Sequence, residues 1–445
     1  MPQVLSRTGK VVLIFLLALS ASEFVVRGPV RFLRATDFND FISPYIQSKA
    51  LVAGLDPYSP QTLVRLWPEG ARRHDFLAED LANGSLIINH GIPTAYPPAC
   101  LFLLTPFALL SWPVAHFAWL ITNLVLFGLL LRAMLQLAGL SGQDWRAYLL
   151  IAFALALAPF HTGIAAGSIV IVTVCLSGIA LSAAQKRNPM LAGLLFGLAV
   201  CLKPQIGLPF LAYYFLRRCW PLCLAAASVV LVAGALPLAR LAASGTPWLR
   251  NYQMDNKILL STGILSDFTE RNPIRFSLIN LQVLIYALSR HALAASYLAL
   301  MISGAAFLVW IVLVLRNEPA DELLEISAIL VWSLLPVYHR LYDASLLIVP
   351  VCWGLKEFSG RYQPYARTTL LLILPFLVPG GSALEQLQIS GRIPETIARS
   401  WYWTAIALPH QVWLLLLLGL LLLQTMRVRA ALKIKTETVP DAVAA

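Results

Sequence analysis

Long runs of apolar residues recur from residue 11 to residue 425, separated by short clusters of Lys and Arg. A hydrocarbon core of ~30 Å takes ~20 helical residues to cross, and a segment in lipid must satisfy its own backbone hydrogen bonds. The runs are rich in Leu, Ala and Val without period-two alternation, so they read as helices and not as strands. With 59% hydrophobic and 12% charged residues over 445 positions, and a mean hydropathy of +0.74, the chain fits no soluble domain. The expected fold class is all-α: a polytopic membrane protein forming one domain over 1–445, without internal repeats, whose first partner is the lipid bilayer.

The formal charge of +11 does not make this a nucleic-acid protein, because the cations are scattered between apolar runs instead of forming one basic face. They read as topology signals. The six cysteines, Cys100, Cys175, Cys201, Cys219, Cys223 and Cys352, lie in apolar stretches without paired metal or disulfide spacing, and core packing accounts for them.

Arg7 and Lys10 before the first run place the N-terminus on the cytoplasmic side, and that run is read as an anchor, not a cleaved signal. Arg132 with Arg146, Lys186-Arg187, Arg217-Arg218, Arg316, Lys356 through Arg367 and the tail from Arg427 to Lys435 are assigned to the same side. Satisfying all of them takes about twelve crossings, near 11–27, 115–132, 147–160, 168–184, 190–203, 206–217, 219–239, 293–315, 323–337, 343–358, 368–380 and 404–425. The apolar pieces 97–111 and 276–289 are short and read as re-entrant or interfacial helices. External loops then fall at 28–96, 240–292 and 381–403, with a cytoplasmic tail at 426–445.

On this topology the first and second loops, the turn His161-Thr162-Gly163, the break Lys203-Pro204-Gln205 and the segment Tyr338 to Asp343 share the external side. Pro204 cannot continue a helix, so Lys203 is placed at a break within the membrane, lining a cavity. A cation at that depth is expensive, on the order of 3 kcal/mol or more, and calls for an anion such as a lipid phosphate.

Five segments resemble glycosyltransferase family 87. Asp40-Phe41-Ile42-Ser43-Pro44-Tyr45, continuing through Ala50-Leu51 to Gly54, Asp56, Pro57 and Tyr58, is similar to the family's opening. Tyr96-Pro97-Pro98 resembles its Y-P-P segment. The stretch Pro159 to Ser168 resembles its P…G-Q-x-N, with Ser168 where Gln is usual. Gly197 to Lys203-Pro204-Gln205 resembles its G-L…K-P-Q, and His339 through Pro350 resembles its H…Y-D-x-x-L-L-x-x-P. The resemblance covers nearly the whole chain. It implies the GT-C architecture, a helical membrane bundle that takes a sugar, commonly mannose, from a polyprenyl-phosphate carrier and gives it to an external lipid or glycan acceptor, in a bacterial cell membrane. No Gly-rich nucleotide loop follows a strand, which disfavours a nucleotide-sugar donor.

Displacement at an anomeric carbon needs a carboxylate to take the acceptor's proton. The resemblance implies Asp40 for that role, with Asp37 its rival. The alternative is that one of them caps a short helix beginning near Phe41. The departing phosphate needs fixed cations, for which Lys203, His339 and Arg340 are the candidates, against snorkelling to headgroups. Tyr96, His161 and Gln205 are candidate substrate contacts, although a lone His in a tight turn is more often structural. Asp343 either orients His339 or Arg340 or pairs with one of them. No cofactor and no metal are expected, since nothing in the loop completes an oxygen cage around Asp37 and Asp40. A flippase for lipid-linked sugars would share the groove and cations without a base, and a non-catalytic assembly subunit would need neither Asp40 nor Lys203.

Overall fold

The computed structural model describes residues 6–35, 39–68, 96–260, 266–272, 274–316 and 321–437. Within them the chain is helical, with a single isolated β-bridge between Leu278 and Arg340. The helices that carry the argument are α1 (Arg7–Val25), α2 (Ile42–Val52), α3 (Trp112–Leu137), α4 (Trp145–Ala156), α5 (Ala158–Ala166), α6 (Ile169–Gln185), α7 (Pro189–Leu202), α8 (Pro204–Leu216), α9 (Trp220–Ala243), α10 (Trp248–Leu259), α11 (Ala292–Arg316), α12 (Glu322–Ser333) and α13 (Ile348–Lys356).

Among the described residues six helices are long and apolar enough to cross a membrane: Arg7–Arg34, α3, α9, α11, Gln363–Ile389 and His410–Ala431. The pair α4 and α5, bent by 43°, makes a seventh when counted as one span. Helix length therefore does not carry the twelve crossings expected from the sequence. The difference lies in runs that fold as shorter helices: 17 residues in α6, 14 in α7, 13 in α8, 12 in α12 and 9 in α13. Every residue of α12 from Leu323 to Ser333 is buried. A helix walled by protein on all sides is as apolar as one walled by lipid, so hydropathy alone cannot separate the two.

Several boundaries also move. The first helix runs past residue 27 through a π-helical turn, Val26–Val30, and on to Arg34. The expected second external loop holds α10, a 3-10 turn at Arg275–Ser277 and the helix Leu281–Ser289. The last helix begins at His410 and extends to Glu437, so most of the expected tail is helical. The pieces near 97–111 form helices of six and four residues, too short to cross.

Close helix contact orders the centre of the bundle. A Cβ on Gly193 would meet the Leu222 carbonyl oxygen at 2.3 Å, and one on Gly197 would meet that of Ala226 at 2.8 Å. This small-xxx-small pair lets α7 lie directly on α9, and Pro204 ends α7 at Lys203. All six cysteines are free, four of them fully buried.

Candidate active site

Asp40 sits on a turn between the first helix and α2, fastened from three directions. Its backbone N–H donates to the Ala166 carbonyl at 2.7 Å. The preceding Asn39 is buried and accepts from the Phe41 N–H at 3.0 Å. The following Phe41 stacks flat on Trp119 with ring centroids 4.4 Å apart, and the Trp119 indole N–H donates to the Gly167 carbonyl at 3.1 Å. Gly167 closes α5 with φ +68, and a Cβ there would come within 3.2 Å of Asn39, so the turn after α5 and the Asp40 turn are built against each other.

This arrangement removes the capping role that competes with catalysis for Asp40. The residue at the α2 N-cap is Phe41, with no side-chain cap bond, and Asn39 supplies the local side-chain acceptor. Asp40 keeps partial exposure while protein surrounds it. Burial raises its pKa above the ordinary carboxylate value, and Asp343 pushes the same way; Arg340, the Tyr342 hydroxyl and Lys203 oppose them. Asp37 lies outside the described residues.

Opposite Asp40 runs the segment from Tyr338 to Asp343, held by an Ile279 N–H to His339 carbonyl bond of 3.0 Å. Asp343 is completely buried and spends both oxygens. Oδ1 takes the Lys203 ammonium at 2.6 Å; Oδ2 takes the Arg340 backbone N–H at 2.8 Å and the His339 Nδ1–H at 3.1 Å. Burial alone would raise the Asp343 carboxyl, but Lys203 and His339 outweigh it and hold it well below the usual range. Lys203 itself is the extended residue between α7 and α8, with φ −150, and its ammonium lies 5.6 Å from the Tyr342 ring. The break at Lys203-Pro204 is thus where the sequence put it, and the anion meeting Lys203 is Asp343.

Arg340 differs from Lys203. Its Nε and Nη2 are buried without a hydrogen-bond partner. Its charge acts on Asp40, Tyr338 and Tyr342, so the guanidinium stands among these three with donors unspent. Backbone and side chain of Arg340 thus do separate jobs: the N–H helps fix Asp343, and the guanidinium lends its charge to Tyr338, Tyr342 and Asp40.

The model of glycosyltransferase family 87 matches residues 94–350, more than half of the chain. The chain belongs to glycosyltransferase family 87. No curated protein and no solved structure matches it significantly. This family 87 chain is accordingly a membrane glycosyltransferase. The matched stretch contains Lys203, His339, Arg340 and Asp343, and Asp40 precedes it.

The remaining candidates of this family 87 member are His161, Tyr96 and Gln205. His161 lies within α5 and not in a turn, because Pro159 starts a helix that runs through it. It is buried, with Nε2 3.9 Å from Glu23 of α1. Tyr96 accepts the Tyr58 hydroxyl on its carbonyl at 2.8 Å and joins a second apolar cluster with Leu51, Leu101 and Trp248. Gln205, in the first turn of α8, lines an apolar cavity of about 1180 Å³ that runs between α8, α9 and α11, past Leu208, Phe215, Leu224 and Trp310. Among the described residues no three His, Cys, Asp or Glu side chains converge on a metal position.

Sequence reasoning did not single out Tyr342, Tyr338 or Asn39. Tyr342 faces Asp40, and Asn39 takes the capping position. Their signal was available in the residues flanking the recognised motifs, Tyr338-His339-Arg340 and Asn39-Asp40.

Proposed function

We propose that this glycosyltransferase moves a hexose such as mannose from a polyprenyl-phosphate carrier to an external lipid or glycan hydroxyl, with Asp40 as general base. The observation that carries the reading is the Asp40 carboxylate, free of any helix-capping role and facing the Tyr342 hydroxyl, together with the Arg340 guanidinium, whose Nε and Nη2 are unspent. In the reaction the acceptor oxygen attacks the anomeric carbon and its proton passes to Asp40. The bond from that carbon to the phosphate oxygen breaks, and the phosphate leaves with the bonding pair. A base supplies roughly 10²–10⁴ in rate, and the raised pKa of Asp40 strengthens it for that task.

The leaving phosphate gains charge, and cations fixed at that place favour the transition state over the ground state. Arg340 is the first of them, because its fork has donors to give. Lys203 and His339 form the wall behind it, and Asp343 sets their positions. The apolar cavity supports a lipid-linked donor: Gln205, two residues from Lys203, is part of its lining, and the lining continues along α8 to Phe215, a path for an isoprenoid tail hanging from a phosphate near Lys203.

The external placement rests on the basic clusters Lys186-Arg187 and Arg217-Arg218, which end α6 and α8 away from Asp40 and Lys203. The test is to incubate the purified protein with radiolabelled polyprenyl-phosphate hexoses and membrane extract and to identify the labelled product. Label transferred to a lipid or glycan supports the reading. Transfer from a nucleotide sugar instead, or none from any lipid-linked hexose, overturns it.

A further inference from the structure

The bundle holds a second polar cleft at the end remote from Asp40. α6 begins against the Asp40 turn, at Gly167 and Ser168, and runs 17 residues to Gln185, about 25 Å away. α3 runs beside it in the same direction, since Trp119 bonds Gly167 at one end and Gln136 bonds Ser182 and Lys186 at the other. There, between α3, α6 and the start of α7, lies a cleft of about 340 Å³.

Its polar lining consists of Arg132, Gln136, Ser182, Lys186 and Asn188, and their hydrogen bonds leave mainly donors. The Gln136 amide oxygen is occupied by the Lys186 ammonium at 2.6 Å and the Ser182 hydroxyl at 3.2 Å, which leaves the Gln136 NH₂ as a donor. The Asn188 amide oxygen caps α7 by accepting from the Leu191 N–H at 3.2 Å, so its NH₂ is spare too. Among the described residues no carboxylate pairs with Arg132 or Lys186. Two uncompensated cations and two amide donors around one cleft select an anion.

The walls identify what carries that anion. Leu129 and Leu191 line the cleft and are 46% and 44% exposed, the first on α3, which is long and apolar enough to cross a membrane, the second on the apolar α7. Cations at helix ends are ordinary in membrane proteins and answer to the charge bias of loops. A donor-lined cleft opening onto exposed leucines is more than that bias requires, because it offers a headgroup site and an acyl-chain path together.

We propose that this cleft binds the phosphate headgroup of an anionic phospholipid, at a site separate from the Asp40 cluster. The site does not depend on the donor assigned above. On the proposed topology it opens to the cytoplasmic leaflet.

The test uses the full chain in detergent, titrated with phosphatidylglycerol, phosphatidylcholine or inorganic phosphate, with lipid retention read by native mass spectrometry. Wild type retains phosphatidylglycerol in preference to phosphatidylcholine. The double substitution Arg132→Gln with Lys186→Gln lowers that retention at least tenfold, while Arg132→Lys with Lys186→Arg keeps it, which separates lost charge from lost fold. Arg361→Gln with Arg367→Gln, charges of another segment, leaves retention unchanged. Retention of phosphatidylglycerol unaltered by the charge-removing pair, no preference over phosphatidylcholine, or displacement of the lipid by equimolar inorganic phosphate overturns the proposal.

Discussion

Asp343 and Lys203 meet at 2.6 Å across 140 residues of sequence, with the carboxylate fully buried and the ammonium nearly so. Removing one partner of such a pair leaves an uncompensated buried charge, at a cost of about 3–5 kcal/mol. Lys203→Ala is therefore expected to lower the melting temperature in detergent as well as transfer. Adding Asp343→Asn should recover most of the stability and none of the activity. A Lys203→Ala protein that melts like wild type contradicts the structural role of the pair.

Arg340 is expected to matter to turnover more than to the fold, because Nε and Nη2 make no hydrogen bond and a substitution gives up only the contact of the guanidinium with Tyr338. Arg340→Gln should reduce kcat by roughly 10²–10³, the scale of losing one fixed donor at a developing charge. Arg340→Lys, which keeps the charge without the fork, should recover only part. Unchanged kcat in Arg340→Gln would move the phosphate to Lys203 and His339.

The Asp56-Pro57-Tyr58 turn fastens α10. Asn251 donates to Asp56 at 2.7 Å, Tyr58 and Tyr252 lie with ring centroids 4.9 Å apart, and Asp255 is buried beside them. Burial, with Asp56 adding to it, pushes the Asp255 carboxyl up to about 8. In the unfolded chain such a carboxyl releases its proton near ~4, so between that pH and about 8 the folded state binds more protons. Stability therefore falls as pH rises through this window and levels off above it. Melting curves from pH 5 to 8 should show the decline in wild type and a flatter profile in Asp255→Asn; parallel profiles would contradict it.

If the apolar cavity takes the isoprenoid tail, Ala227→Trp, which fills it from α9, should raise KM for a long polyprenyl donor several-fold. A donor with one or two isoprene units should be little affected. Equal effects on both donors would place the tail elsewhere.

What the sequence made legible follows from the range of the physics involved. Pro204 forbids a continuous helix locally, so the Lys203 break was readable. The partner of Lys203 was not, because only the tertiary fold brings Asp343 to it. Gly163 suggested a turn at His161, but Pro159 at the helix start prevailed and buried His161 against α1. The apolar runs at α6 and α12 were rightly helical, but their length does not show that they cross, since burial in protein and burial in lipid leave the same composition. The competing roles of Asp40 as base or cap could be separated only once Asn39 was seen to take the local acceptor position.

The direct test of the account is transfer by Asp40→Asn. The amide keeps the shape and removes charge and basicity, and the turn is held by the Asp40 backbone N–H and by Asn39, so the melting temperature should stay within a few degrees of wild type. Transfer from a polyprenyl-phosphate hexose should fall at least ~10²-fold with donor binding retained, and Asp37→Asn should lose much less. Normal transfer by Asp40→Asn would contradict the assignment of Asp40 as the base, and a dead Asp37→Asn beside it would place the base three residues earlier.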